Sequence, residues 1–272
     1  MKPRGIGDWL LFGPSLLCLD APLVAYFWAL IFGGGYLPML IGLFGTVWFI
    51  YLFDRLWDIR KTVIADTMRH QFAKKHPKFL LALFVPALTC IGYGALSIST
   101  EQTLRASVVA AGVAAYFVGF KFLKPSYPRF PFKEVMIGLC FAGAYPVIRW
   151  PLMIEEWLGL LVFAVLCTVN CLIISQAESA SDEVVDPGAF FAKERAPFPF
   201  FAILIATSIS SALLALSSLP LALPLSLLTT TLSLWFILNR APQPARFTQP
   251  LADTCMWLVP AIAWLITHAH LL

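Results

Sequence analysis

Charge is scarce in this sequence. Only 12% of its 272 residues are Asp, Glu, Lys or Arg, 60% are hydrophobic and the mean hydropathy is +0.81. A soluble domain carries about a quarter charged residues, so a soluble globular class is excluded. Cys-x-x-Cys spacing is also lacking. Cys18, Cys90, Cys140, Cys167, Cys171 and Cys255 each stand within an apolar stretch, where they read as reduced packing residues. Low-complexity segments and solenoid-type repeats are absent. The basic N-terminus, MKPRGIGDWLLFGPSLLCLDAPLVAYFW, runs into a full-length apolar span without a small-residue cleavage site, so it reads as a retained first helix.

What the sequence has in quantity is long apolar runs. A membrane-crossing helix needs about 20 mainly apolar residues to cover about 30 Å of hydrocarbon. Nine stretches meet that length, near 12 to 32, 37 to 55, 79 to 98, 104 to 122, 134 to 152, 157 to 177, 198 to 217, 219 to 238 and 250 to 270. The seventh and eighth are divided only by Ser217-Ser218-Leu219-Pro220 and could form one tight hairpin. The fold class expected is an all-α integral membrane protein, a bundle of nine transmembrane helices forming a single domain over residues 1–272.

The distribution of basic residues supports that count. With nine spans, 17 of the 19 Lys and Arg residues fall on the side of the N-terminus, and only Arg105 and Arg149 fall on the other. Cytoplasmic loops collect Lys and Arg, so the N-terminus is expected inside and the C-terminus outside. The net charge of +4 then belongs to the inner face rather than to a nucleic-acid site.

Acids at the inner ends of two spans carry the chemical signal. Asp54 and Asp58, in YLFDRLWD, lie four apart at the end of the second span. That spacing places both carboxylates on one helix face, about 5 to 6 Å apart at Cβ, where they repel. Arg55 and Arg60 offset some of this, and a divalent cation could supply the rest. Mg²⁺ takes one or two carboxylates, keeps several waters and completes its shell with phosphate oxygens. The sixth span ends with the same spacing, Glu178 and Asp182, with Asn170 eight residues before Glu178 and close to the same face. Four crossings separate the two pairs, so both open on the inner side. The basic loops RLWDIRKTVIADTMRHQFAKKHPK and KFLKPSYPRFPFK add candidate diphosphate donors, Arg69, Lys124 and Lys133 among them. Behind such a head-group site, the 23 Phe, 9 Trp and 7 Tyr offer an apolar interior for a hydrocarbon tail.

These features resemble the UbiA superfamily of intramembrane prenyltransferases. That family has nine transmembrane helices and two Asp-rich motifs at the cytoplasmic ends of its second and sixth helices, written N-D-x-x-D-x-x-x-D and D-x-x-x-D. Asp54-Arg55-x-x-Asp58 matches the last part of the first motif, and Glu178-x-x-x-Asp182 is similar to the second with Glu for Asp. Lys133 or Lys124 is similar to the family's diphosphate-binding Lys before the fifth helix. Where the first motif opens with Asn-Asp, this sequence has Ile50-Tyr51, and Tyr51 would then stand beside an allylic cation. Asp20 in the first span and Asp253 in the ninth are acids the family pattern does not require. Either could replace a ligand, act as a base or stabilise a carbocation.

The resemblance implies Mg²⁺ held by Asp54, Asp58, Glu178 and Asp182, and a prenyl diphosphate clamped by Arg55, Arg60, Arg69, Lys124 and Lys133. Its cavity would open to the cytoplasm and be lined by Tyr51, Asn170 and Asp253, with Asp20 as a further catalytic acid. It implies an aromatic or lipid acceptor, contact with membrane lipid, and residence in a bacterial inner membrane. The reaction would be prenyl transfer, or cyclisation by a terpene cyclase of the same superfamily. A transport or lipid-binding protein on this fold is the reading from a different class, since intramembrane acids also relay protons and bind cations. Arg69-His70 is expected as a solvated loop pair, Gly33-Gly34-Gly35 as an outer loop, and His268-Ala-His270 lacks a third ligand type.

Overall fold

The computed structural model describes residues 6–34, 36–60, 68–119, 131–181, 198–216, 219–240 and 245–268. They form twelve helices and, among the described residues, no strand. Five segments are long and apolar enough to cross a membrane: Leu37–Asp58, Pro77–Ala95, Ile154–Ala177, Ala222–Asn239 and Phe247–His268. The first of these, 22 residues long, has a length of about 33 Å at 1.5 Å per residue.

The first apolar stretch is not one helix. It divides into α1 (Ile6–Leu16) and α2 (Asp20–Ile31), with Cys18 between them in the left-handed region at φ 58°. The cause is Pro22, which has no N–H to give the carbonyl four residues back and whose ring collides with that carbonyl. A helix cannot pass unbroken through Cys18, so it restarts with Asp20 as its first residue. The indole of Trp48 donates to the Leu17 carbonyl freed by the break, at 3.0 Å. Helix α2 has 12 residues, about 18 Å, roughly half the hydrocarbon thickness.

Trp48 belongs to α3 (Leu37–Asp58), which is followed by the short basic helix α4 (Met68–Lys75) and then α5 (Pro77–Ala82) and α6 (Phe84–Ala95). The backbones of α3 and α6 nearly touch. A Cβ on Gly42 would lie 2.9 Å from Cα of Gly94, and small residues at such crossings are how apolar helices associate inside lipid. Leu52, Trp48, Ala73, Leu80 and Ala87 form a core of their own around this pair.

The remaining helices are α7 (Thr100–Phe117), α8 (Phe132–Ile148), α9 (Ile154–Ser181), α10 (Phe198–Leu216), α11 (Ala222–Arg240) and α12 (Ala245–His268). Helix α9 is the axis: 72% of its apolar window is buried, against 22% for α3. It packs on α8, α10, α11 and α12 through Val162, Leu166 and Val169. Helix α2 lies between α3 and α12 and joins the two cores. The seventh and eighth stretches are two helices, α10 and α11, packed against each other. Helix α7 begins with a capping box in which Ser99 and Gln102 satisfy each other's backbone N–H groups. It buries none of its residues, and it exposes Leu104 and Val108.

At the end away from the two Asp residues of α3, the charges are closed into pairs. Arg149 meets Glu156 at 3.0 Å and also donates to the Phe32 carbonyl at 3.1 Å. The Tyr145 hydroxyl donates to the same carbonyl, and the other Glu156 oxygen accepts from the Met153 N–H at 2.9 Å. The ends of α2 and α8 and the start of α9 are tied together in this way. Arg105 pairs with Glu101 at 2.7 Å and lies over the Trp150 ring, 5.8 Å from its centroid. Both basic residues assigned to this side of the protein therefore have a carboxylate partner.

Candidate functional site

The opposite end is acid-rich. Asp54 and Asp58 occupy the last turns of α3, both half-buried. Tyr116 of α7 stands within electrostatic reach of Lys133, Asp54, Cys171 and Asp58. Carboxylates from α3, a phenol from α7 and an ammonium from α8 thus share one region, brought there because α7 packs on α8. Glu134, beside Lys133, is buried at 3% exposure. Arg60 is exposed at the end of α3, where it faces outward from the same rim.

Arg55 is placed differently. Its side chain is buried and its guanidinium donates to the Cys18 sulfur, which ties α3 to the break between α1 and α2. Arg69 and His70 were expected in solvent and are instead part of helix α4, with His70 buried at 8% exposure. The reason is a helical turn that α4 packs against α1 and α3. Burial, with the Arg69 and Arg55 charges close by, pushes the His70 imidazole down to about 3, so the ring is neutral near pH 7. The Gln249 amide, with its oxygen turned toward Arg69, accepts from Arg69 Nε at 3.2 Å and also from Nη1. That contact anchors α4 to α12.

A second polar cluster lies deeper. Asn170 of α9 donates from Nδ2 to Oδ1 of Asp253 at 2.9 Å, and the carboxyl of Asp20 is a further hydrogen-bonding neighbour of Asp253. Asp20 is 6% exposed and accepts from the Ala21 N–H at 3.0 Å, at the start of its own helix. Tyr51 of α3 lies within electrostatic reach of Cys171, Asp20, Asp253 and Tyr116. It therefore bridges this cluster to the rim acids. Helix α12 begins at Ala245, so Asp253 sits more than two turns inside it. Thr248 and Gln249 are buried in those turns, and Gln249 meets Arg69 there.

Three residues far apart in the chain therefore converge where the sequence offered them only as separate acids and an amide. Pro22 was the available signal for Asp20, since it sets the helix start two residues before itself. Nothing local marks Asp253 or Asn170 as partners. Of the expected second acid pair, the backbone of Glu178 lies in α9, while its side chain and Asp182 fall outside the described residues, as does Lys124. Among the described residues, no three His, Cys, Asp or Glu side chains converge on one metal position. Below Tyr51, which meets Phe141 edge-on at 6.4 Å, an apolar crevice runs between α2, α3, α8 and α9. It is lined by Trp28, Phe32, Leu43, Phe141, Tyr145 and Phe163.

No family model, curated protein or solved structure matches the chain.

Proposed function

We propose that the chain is a nine-crossing intramembrane enzyme of the UbiA type, with its N-terminus in the cytoplasm, that binds an allylic prenyl diphosphate with Mg²⁺ and transfers the prenyl group to an acceptor. The observation that carries this reading is vertical order at one end of the bundle. Asp54, Asp58, Lys133 and Tyr116 share the rim, Tyr51 lies below them, and the aromatic crevice follows along Phe141. A charged head group with an apolar tail has that same sequence of chemistry.

The donors at the rim suit a hard cation, since Asp54 and Asp58 offer only carboxylate oxygens. They are the described residues that would hold Mg²⁺, and the ion when bound would neutralise charge on the departing diphosphate. The chain's own groups do the rest. Lys133 and the exposed Arg60 supply donors to phosphate oxygens, and Arg69, held by Gln249, adds fixed positive charge on the inner side. The ring faces of Tyr51 and Phe141 can stabilise a cation on the prenyl carbon nearest the diphosphate. The Arg149–Glu156 pair at the far end ties helix ends together and takes no part in this chemistry.

Incubating the purified full chain with Mg²⁺ and geranyl, farnesyl or geranylgeranyl diphosphate tests the proposal. Diphosphate release is expected from at least one of them, with a loss of about 100-fold or more in Asp54→Asn, the scale of removing a charge-stabilising group. No release from any of the three overturns the reading. The organic product then separates transfer, which waits for an acceptor, from cyclisation, which does not.

A further inference from the structure

The diphosphate chemistry leaves one polar cluster unused: Asp20, Asp253 and Asn170. Two acids facing each other inside a bundle require positive charge close by. Arg69, which acts electrostatically on Asp253, supplies one such charge. A proton shared between the carboxyls would answer the second. It would not answer Asn170, whose residue is only 9% exposed. Its Nδ2 is engaged by Asp253, and its Oδ1 is buried with no hydrogen-bond partner among the described residues. One group satisfies all three side chains at once, a bound cation that takes an oxygen from each.

The donor set and the backbone agree on what kind of cation. Two carboxylates and an amide oxygen are hard ligands, with no ring nitrogen among the three. Arg69 and the nearby Arg55 already offset much of the pair's negative charge, so a monovalent ion balances the site more closely than a divalent one. The cluster also sits at an interruption, where α2 restarts after Cys18. Ion sites inside membranes are built at such broken helices.

We infer that Asp20, Asp253 and Asn170 form a binding site for one alkali cation. The site stands apart from the prenyl diphosphate reading and does not need it. Its test is unfolding of the purified full chain in detergent, at fixed pH and ionic strength, as choline chloride is replaced by NaCl or KCl. Wild-type protein is expected to gain a saturable rise in Tm of about 3 to 6 °C at roughly ten times the Kd. Asp253→Asn and Asn170→Ala are expected to lose that rise whatever their starting Tm. Should the variants not fold, radioactive sodium binding to wild-type protein, displaced by unlabelled NaCl, decides the matter alone. A flat wild-type response, or an equal response in all three proteins, overturns the site. A stability that follows pH in a parallel series, but neither salt at any fixed pH, assigns the pair a proton only and also overturns it.

Discussion

The two ends of the bundle handle charge in opposite ways. At one end Arg149 is spent on Glu156 and Phe32, and Arg105 on Glu101 and Trp150. At the other, Asp54, Asp58, Asp20 and Asp253 accumulate on three helices, α2, α3 and α12. Ionisable groups inside apolar bundles are costly, so the first arrangement serves closure and the second needs a further reason. The difference teaches that a charge count per side says little about which charges are structural.

Substitutions at the two ends should therefore differ in kind. Glu156→Ala has the largest expected effect on stability, about 1–3 kcal/mol, because it strands Arg149 and releases the Met153 N–H while Arg149 stays partly solvated. Thermal unfolding in detergent measures it, and diphosphate release per folded molecule should stay at the wild-type level. A selective loss of release would erase the contrast between the ends. Tyr145→Phe at the same closure should cost about 0.5–1.5 kcal/mol, the worth of one hydrogen bond, read in the same assay. A null result would mean that Arg149 alone holds the Phe32 carbonyl.

A further effect belongs to the acid-rich end and concerns pH. His70 binds a proton more weakly when folded than when unfolded, so the unfolded chain carries more protons between its ordinary value of 6.5 and about 3. Stability should thus be complete above about pH 6.5 and decline as pH falls toward 3. His70→Gln removes that contribution, and its stability between those limits should fall less steeply than the wild type's. An unchanged slope would show that the carboxylates alone account for the acid sensitivity.

Much of the helical layout was legible because apolar length is a direct physical signal. The stretch ending in Asp58 became α3, and the one ending beyond Asn170 became α9. The errors fell where side-chain burial, not length, decides. Pro22 divided a stretch that hydropathy reads as uniform. Arg69 and His70 look like loop residues until α4 lays them against α1 and α3. Asp20, Asp253 and Asn170 are an acid, an acid and an amide in three separate helices, and only packing brings them together. By contrast, the Asp54–Asp58 pair needed no tertiary information, since four residues on a helix define one face.

The break at Cys18 also has a mechanical side. A continuous helix is a stiff rod, and a push at one end is delivered at the other. Helices α1 and α2 are two short rods whose axes change direction at the left-handed Cys18, so a push along α1 is not aligned with α2. Its load passes sideways instead, into the α4 and α12 helices on which α1 rests. The corner of the bundle that presents Asp20 therefore meets α1 both through that one turn and through α12, which carries Asp253.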